Sequence, residues 1–310
     1  MEFGIFNAAC VLPRYVEQHG ASAEHDRLMD EVAFIVAADK AGFKYTWASE
    51  HHFLTTYSHL SDSESFLAFV AAKTSDIHIG SGIFNITPPV NHPARVAEKV
   101  AMLDHLSGGR VEFGVGRGSS STEQRGFGIE DPELTRDMVA ETLPEIVRMF
   151  KDEPYSYDGK FFSMPERDVL PKPYTDPHPP LWVAAGSPST FELAARQGLG
   201  VLCFAFGKPE SFIPLIENYK KTIENCEPVG GYVNNNIMIT TQMLCLEDGA
   251  RAREVSLNID QHYHSSLVFK YLDTFPRPPG IPVWPELIPE QTPEMLNTAI
   301  DKGAGTCRGT

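Results

Sequence analysis

Short apolar runs alternate with amphipathic stretches along most of the chain. The run EFGIF at Glu2–Phe6 is typical of a short buried strand, and His25–Ala41 places its apolar residues on one helical face. Gly42 then stands where a glycine commonly ends a helix. In FKYTWA, at Phe43–Ala48, large apolar residues alternate with smaller or polar ones, as they do in a strand. The opening unit is therefore predicted to be strand, helix, strand.

The same unit recurs along the chain. Further helices are predicted over Ser63–Thr74, after Pro93, over Ser189–Gln197, after Pro209 and after Asp248, and further strands in IHIGSGIF, RVEFGVG, LWVAA, GVLCFAF and NIMITTQMLCL. Alternating strands and helices predict an α/β protein with a parallel sheet covered by helices. About seven such strands favour a TIM (β/α)8-type barrel over an open doubly wound sheet, although periodicity alone does not separate the two.

The chain is predicted to form a single domain over residues 1–310, with two interruptions. Residues 151–180 read as an inserted hairpin followed by a Pro-rich connector. Residues 275–293 are too rich in proline for regular structure and are a candidate mobile loop or lid. After MLNTAIDKGAGTCRGT a barrel would still need its last strand and helix, so we expect the final β/α unit to be truncated or supplied from elsewhere.

Composition limits the classes of partner. Hydrophobic residues make up 42% and charged residues 22% of the chain, which is typical of a folded globular protein. The formal charge of -15 argues against nucleic acid or an acidic membrane surface as a partner, because either would need a basic face. No apolar run has the length of a membrane span. Any anionic ligand must therefore meet a local basic site.

Cysteine usage bears on the cellular compartment. The five cysteines are an odd number, are scattered, and include no C-x-x-C pair, which suits free thiols in a reducing compartment. The first residues, MEFGIFNAAC, lack the basic region of a signal peptide. We expect a cytoplasmic protein.

The segment WASEHHF concentrates titratable groups at the end of the second predicted strand. Glu50, His51 and His52 would lie where barrel strands deliver their catalytic side chains. An imidazole transfers protons near neutral pH, and a neighbouring carboxylate can orient it. The alternative is that one histidine caps a loop while the other packs. A metal site is disfavoured, because adjacent histidines rarely share one metal and no H-x-H follows the first strand.

Two further segments could bind an anion. In WVAAGSPSTFELAARQG a strand leads into a helix, with Pro188 in its first turn and Ser189–Glu192 matching a capping box. Hydroxyls and amides of Ser187, Ser189 and Thr190 would form a phosphate cradle there, the alternative being an ordinary capped helix.

The second anion-binding candidate follows the strand RVEFGVG. Arg117 stands at the strand's tip and Arg136 opens the next helix, so both are candidates to supply the positive charge that the chain lacks overall. The alternative is that these arginines lie on the surface. Gly114-x-Gly116-x-Gly118 lacks the spacing of a dinucleotide-binding fingerprint.

Taken together, these segments resemble the bacterial luciferase-like flavin monooxygenases. The resemblance covers nearly the whole chain and rests on EFGIF, EHHF, HPARVAEKVAMLDHLSGGRVEFGVGRG and PPLWVAAGSPSTFELAARQG. EHHF and LDHLSGGR are specific in combination, although either alone would be weak. The resemblance implies a TIM barrel in which many members use reduced FMN from a separate reductase and react with oxygen through a flavin C4a-peroxide.

The resemblance also implies roles for individual residues. His51 matches the catalytic histidine of luciferase and His52 its neighbour, with Glu50 holding the loop. The positions implied at the flavin are Arg117 and Arg136 at the phosphate, Ser187 and Thr190 as hydroxyl ligands, Gly186 through its backbone amide where luciferase has a glutamate, and Phe84 and Asn85 at a cis peptide beneath the ring. Gly116 replaces a reactive but non-essential cysteine of luciferase.

The sequence therefore predicts an FMN-dependent monooxygenase that oxidises a small or medium organic substrate, such as an aldehyde or ketone, with O2. A flavin reductase is the expected partner, and the resemblance implies a dimer through the helices at Ser63–Thr74 and Pro93–His105. Two alternatives stay open: a deazaflavin-dependent hydride-transfer oxidoreductase on the same barrel, and a non-catalytic flavin-binding partner subunit. The non-catalytic subunit of luciferase departs from the double histidine that this chain keeps.

Overall fold

The computed structural model describes residues 1–55, 57–205, 209–258 and 306–309. The strands are β1 (Gly4–Asn7), β2 (Tyr45–Ala48), β3 (His78–Ser81), β4 (Phe84–Asn85), β5 (Val111–Gly116), β6 (Tyr155–Asp158), β7 (Ser163–Arg167), β8 (Leu181–Ala184), β9 (Gly200–Phe204), β10 (Ile237–Thr240), β11 (Gln242–Cys245) and β12 (Thr306–Gly309). The α-helices are α1 (Pro13–His19), α2 (Ala23–Lys40), α3 (Ser63–Ala71), α4 (Pro93–Ser107), α5 (Ser121–Gly126), α6 (Leu134–Lys151), α7 (Pro188–Arg196), α8 (Ile213–Ile223) and α9 (Gly249–Asn258). Short 3-10 turns lie at Gly20–Ser22 and Pro209–Phe212.

The main sheet is a nearly closed parallel barrel. Its strands follow the order β1, β2, β3, β5, β8, β9, β10, and the short β4 pairs with β5. All of these pairs are parallel. The predicted TIM-type barrel is confirmed. Within the described ranges, β10 is not hydrogen-bonded to β1, and β12 pairs with β11 in a separate two-stranded sheet.

Two predicted strands are each divided in the structure. IHIGSGIF becomes β3 and β4, because the residues from Gly80 to Phe84 advance four positions while their partners on β5, Glu112 to Val115, advance three. The extra residue interrupts the backbone hydrogen bonds between the two strands. The Ser81 hydroxyl takes their place by donating to Gly114 O at 2.7 Å and accepting from Gly114 N at 2.9 Å. NIMITTQMLCL likewise divides into β10 and β11, which belong to different sheets.

Helix α4 shows how local signals position the barrel's outer layer. It begins with Pro93 after the N-cap His92, whose Nδ1 accepts a hydrogen bond from Ala94 N at 3.2 Å. It ends at Gly108, whose φ of 69° is a left-handed conformation that favours glycine. Its Val96, Val100 and Leu103 are buried against the sheet, as the sequence pattern predicts. Among the described residues, no helix combines the length and apolarity needed to cross a bilayer.

The two predicted interruptions have different outcomes. The inserted segment contains the antiparallel hairpin β6–β7, which confirms that part of the prediction. The Pro-rich loop at 275–293 lies outside the described residues.

Two tryptophans fill the barrel interior, and glycines on neighbouring strands make room for them. The rings of Trp47 and Trp182 meet edge to face at 5.2 Å, and Leu202 packs against them. A Cβ at Gly80 would lie 2.3 Å from Trp47 Cε3, and one at Gly200 would lie 2.5 Å from Trp182 Cε3. Both glycines are therefore required by close packing inside the barrel.

A buried carboxylate occupies the amino-terminal end of the barrel. Glu112 accepts a hydrogen bond from Trp182 Nε1 at 2.6 Å, and His78 Nδ1 lies 2.8 Å from its other oxygen. Together with the tryptophans, this cluster fills the barrel below the carboxyl ends of the strands. The opposite end is left for the loops that follow each strand.

Because Gly80 has no space for a methyl group, Gly80→Ala is expected to destabilise the fold by about 1–3 kcal/mol through overpacking. The measurement is chemical denaturation of the wild-type protein and the variant. Trp47→Leu serves as the matched partner in a double-mutant cycle, and Gly80→Ala should be markedly less harmful in that background. Equal effects of Gly80→Ala in both backgrounds would show that the tryptophan ring does not set the requirement.

Candidate active site

The carboxyl ends of the barrel strands bring four polar segments to one edge. The loop after β2 carries Glu50, His51 and His52, and the loop after β5 carries Arg117 and leads into α5. The loop after β8 leads into α7, and β4 ends at Asn85. Because β2 to β8 are parallel neighbours in the sheet, these loops share one edge. The predicted position of EHHF at the end of a barrel strand is confirmed.

Glu50 ties the loop after β2 to β4. Its carboxylate is buried, and Oε1 lies 3.0 Å from His52 Nε2 while Oε2 accepts a hydrogen bond from Asn85 N at 3.1 Å. Asn91 Nδ2 donates both to Glu50 Oε1 at 3.3 Å and to Asn85 O at 2.9 Å. One side chain therefore fixes the second histidine and the backbone of the neighbouring strand at the same time.

A second buried carboxylate, Glu123 on α5, holds the first histidine. Its Oε1 lies 3.0 Å from His51 Nδ1 and accepts a hydrogen bond from His52 N at 3.0 Å. The Glu123 side chain is only 3% exposed, against 12% for His51. Both imidazoles thus have a carboxylate of their own, and the two pairs meet at the backbone of His52.

Sequence reasoning missed Glu123. It is the fourth residue of Ser120–Glu123, where Ser120 is the N-cap of α5 and its hydroxyl accepts from Glu123 N at 3.0 Å. The pattern S-x-x-E normally predicts a capping box, in which the glutamate returns to its own N-cap. In the structure Glu123 stays close to its N-cap Ser120, and its carboxylate also bonds the loop after β2. The S-x-x-E pattern, which is the sequence signal at Glu123, suggests a structural role in capping the helix and not a role in the site.

The surroundings shift the acidities of these pairs. Burial raises the pKa of Glu50, and this outweighs the hydrogen bond from His52. Burial alone would lower the pKa of His52, but the bond to Glu50 and the nearby carboxylates raise it. For Glu123, burial opposes ionisation, yet the charge and hydrogen bond of His51 and the amide of His52 bring its pKa below the usual value. The Glu50–His52 pair therefore holds its protons more strongly than isolated side chains would, while ionisation of Glu123 beside His51 is favoured.

Aromatic rings enclose the two imidazoles. Tyr57 lies edge to face with His51 at 4.7 Å between ring centroids, and Phe127 lies edge to face with His52 at 4.8 Å. Phe53, with φ of 64°, packs against Phe127 at 5.1 Å and is 58% exposed. The pairs therefore sit in a partly apolar pocket wall, which strengthens their electrostatic interactions.

Arg117 provides local positive charge at the end of β5. Its NH1 donates to Thr135 Oγ1 at 2.9 Å, and no ion pair between Arg117 and a carboxylate is found among the described residues. Burial lowers its pKa, and the nearby charge of Arg136 adds to that effect. Arg136 itself is exposed and lies 3.6 Å from Glu133. Arg117 therefore supplies positive charge at this edge of the barrel, whereas Arg136 shares its charge with Glu133.

Hydroxyl groups cluster at the start of α7. The N-cap is Ser187, whose Oγ accepts from Thr190 N at 3.3 Å and lies 3.0 Å from Ser189 Oγ and 2.9 Å from Thr190 Oγ1. Pro188 is the first helical residue, as predicted, but the capping box over Ser189–Glu192 is wrong, because Ser189 lies inside the helix and Glu192 pairs with Arg196. Gly186 directly precedes the cap and is exposed. Since β5 and β8 are adjacent, this cluster and Arg117 share the barrel edge.

The predicted cis peptide between Phe84 and Asn85 is wrong. The cis bonds among the described residues are all X–Pro, at Glu153–Pro154, Leu170–Pro171 and Asp176–Pro177. Both residues instead pair in regular register with Val115 and Gly116 of β5, so the trans bond, which is intrinsically favoured, fits the strand. The Phe84 ring packs against Phe113 in the core between sheet and helices, and the Asn85 side chain accepts hydrogen bonds from Thr87.

Metal ligands do not gather at this edge. In the ranges that the structure describes, no group of three or more His, Cys, Asp or Glu is placed to hold a metal ion. His262 and His264 lie outside the described residues.

Comparison with known proteins identifies the family. The model of luciferase-like monooxygenases matches residues 1–277. The oxygenase component of a flavin-dependent trigonelline monooxygenase from Acinetobacter baylyi is 30% identical over 60% of this chain and 51% of its own length, so the chain spans about half of that relative. An F420-dependent glucose-6-phosphate dehydrogenase from Beutenbergia cavernae is 31% identical over 77% of this chain and 70% of its own.

A solved structure agrees with these relatives. The crystal structure of the monooxygenase RslO1 from Streptomyces bottropensis is 26% identical, with a TM-score of 0.74 over 86% of this chain and 79% of that one. The family match covers the barrel and every candidate site residue described above. The chain therefore belongs to the luciferase-like monooxygenase family.

Proposed function

We propose that this protein uses reduced FMN and O2 to oxidise a small or medium organic substrate such as an aldehyde or ketone. The observation that carries the proposal is that one edge of the barrel holds two carboxylate-held imidazoles and the Arg117 guanidinium, whose described polar contact is with a neutral hydroxyl. A phosphorylated, redox-active ligand needs both a cationic site and controlled proton transfer. The relative named as a flavin-dependent monooxygenase supports the choice of cofactor class.

The residues present fit a flavin phosphate. Arg117 is half-buried, and its described polar contact is with a neutral hydroxyl, so its charge remains available to an anion. The hydroxyls of Ser187, Ser189 and Thr190 and the amides at the start of α7 lie at the adjacent strand end. We assign the phosphate to this cradle, with Gly186 contributing its backbone amide and Arg136 adding charge.

When bound, reduced FMN would supply the electrons that activate O2. The protein's own contribution is proton handling and exclusion of water. With Glu123 ionised, the Nδ1–H group of His51 donates a hydrogen bond to that carboxylate, which leaves Nε2 as the nitrogen that would exchange protons with the reacting groups. His52, held by Glu50 with a raised pKa, would be a second proton-carrying group beside His51.

A second candidate function is hydride transfer with a deazaflavin. The F420-dependent relative favours it, because the matched region includes the same barrel. Deazaflavins do not activate O2, so the two functions differ in a single measurable property. The non-catalytic subunit is the weaker candidate, since both carboxylate–imidazole pairs are complete in this chain.

We also propose a flavin reductase as partner and a dimer as the assembly. Helices α3 and α4 expose Phe69 at 43%, Met102 at 49% and Leu106 at 62%, an apolar set that a second copy would cover. A cytoplasmic location, expected from the cysteine pattern, is part of the same proposal.

The function is tested by anaerobic titration with reduced FMN, followed by mixing with air-saturated buffer while the flavin spectrum is recorded. We expect tight binding, and then a transient flavin species that decays more slowly than free reduced FMN oxidises. Tight binding with immediate oxidation would contradict the monooxygenase proposal. A parallel titration with reduced deazaflavin would then test the second candidate.

His51→Ala is expected to reduce turnover by about 10²–10⁴-fold, because a positioned proton-transfer group is lost. Affinity for reduced FMN should change little, since the cradle is untouched. His19→Ala, an exposed histidine on α1, is the matched control and should retain full activity. Unchanged turnover in His51→Ala would remove this residue from the reaction.

Arg117→Ala is expected to weaken reduced FMN binding by about 10–100-fold, the loss expected for a charge-assisted hydrogen bond. Reduced riboflavin, which has no phosphate, should bind the variant and the wild type equally. Arg196→Ala, an exposed arginine on α7, controls for the change in net charge. Equal losses for FMN and riboflavin would place Arg117 outside the phosphate site.

A further inference from the structure

Two consecutive residues of α5 carry three buried polar atoms without partners. Glu123 Oε2, Gln124 Oε1 and Gln124 Nε2 are all inaccessible to solvent and make no hydrogen bond of good geometry, although the Ser120 hydroxyl is near enough to the Glu123 carboxylate to help lower its pKa. The Gln124 residue is 1% exposed and Glu123 is 2% exposed. Leaving a buried polar atom unsatisfied costs about 1–3 kcal/mol, and native proteins contain few of them. A concentration of such atoms beside a candidate active site indicates a missing hydrogen-bonding group.

The three atoms define the chemistry of that group. Oε2 of Glu123 belongs to a carboxylate whose ionisation is favoured and whose Oε1 already bonds His51 and His52. Oε2 therefore requires a hydrogen-bond donor. The Gln124 carboxamide offers one acceptor and one donor group. An anion would be repelled by Oε2, and an apolar group would leave all three atoms unsatisfied. The group that fits is neutral and both donates and accepts hydrogen bonds, as an alcohol hydroxyl does.

The position of α5 relates this group to the proposed cofactor. The loop from Arg117 leads through Ser120 into the helix, and Glu123 contacts His51. The pair therefore follows, along the chain, the residue assigned to the flavin phosphate, and through Glu123 it contacts the imidazole assigned to the reacting ring. In FMN, the part between phosphate and ring is the ribityl chain, which is neutral and carries hydroxyl groups.

We propose that Glu123 and Gln124 form a binding site for the hydroxyl groups of the flavin's ribityl chain. This assignment rests on the proposed function. A ribityl hydroxyl donates to Glu123 Oε2, and the Gln124 carboxamide donates to one hydroxyl and accepts from another. The three polar atoms lack hydrogen bonds without the cofactor and gain them when it binds. The free energy that they cost the unliganded fold is therefore recovered as binding free energy.

The test is Gln124→Met, which keeps the side-chain length and removes both unpaired atoms. Two quantities are measured: the melting temperature without ligand, and the anaerobic affinities for reduced FMN and for a reduced flavin whose phosphorylated side chain lacks the hydroxyl groups. We expect the variant to melt at a higher temperature than wild type. We also expect it to bind reduced FMN about tenfold more weakly while binding the deoxy analogue as wild type does.

Thr142→Val is the matched control, because Thr142 on α6 also carries a buried hydroxyl without a partner. It should raise the melting temperature and leave both affinities unchanged. If Gln124→Met weakens FMN and the deoxy analogue equally, or weakens neither, the ribityl site is wrong even though FMN binds. If wild type binds neither flavin, the proposed function itself has failed.

Discussion

The hydrogen bonds that Glu123 Oε1 makes to the loop after β2 determine how the site is arranged. One oxygen joins α5 to both His51 and the backbone of His52. The loops after β2 and β5 would otherwise be long, solvated connections with nothing to fix their separation. Because that oxygen is buried, losing it would leave a histidine without a partner in a low-dielectric wall. The parallel barrel brings the loops to one edge, and this contact orders them there.

A protein with a formal charge of -15 must create its anion site locally. It does so with a guanidinium at a strand tip whose nearest described partner is a threonine hydroxyl. Glu50 and Glu123 at the same edge are occupied by imidazoles, so these two carboxylates do not neutralise Arg117. The carboxylates and the guanidinium are therefore kept apart on one edge of the barrel. The carboxylate–histidine pairs can handle protons, and Arg117 can bind an anion. This separation is what a cofactor with a phosphate at one end and a reactive ring at the other requires.

Sequence patterns predicted the features that depend on local chemistry. Hydrophobic periodicity predicted the alternation of strands and helices, Pro93 marked the start of α4, and EHHF lies at a strand end. Features that depend on long-range packing were missed. Glu123 follows a capping-box pattern but bonds a loop 71 residues away along the chain. The extra residue that divides IHIGSGIF becomes visible only against the register of β5.

The same distinction explains why unsatisfied atoms are informative. Local patterns are selected for folding, so they tend to agree with the fold; a buried carboxamide without a partner opposes folding and persists only where another requirement maintains it. Gln124 fits no helix, cap or core pattern, and nothing described in the chain satisfies it. Glu123 satisfies a histidine with one oxygen and leaves the other free. Their placement in consecutive residues indicates that the stability given up here serves binding, because a ligand that satisfies these atoms recovers the free energy that they cost the unliganded protein.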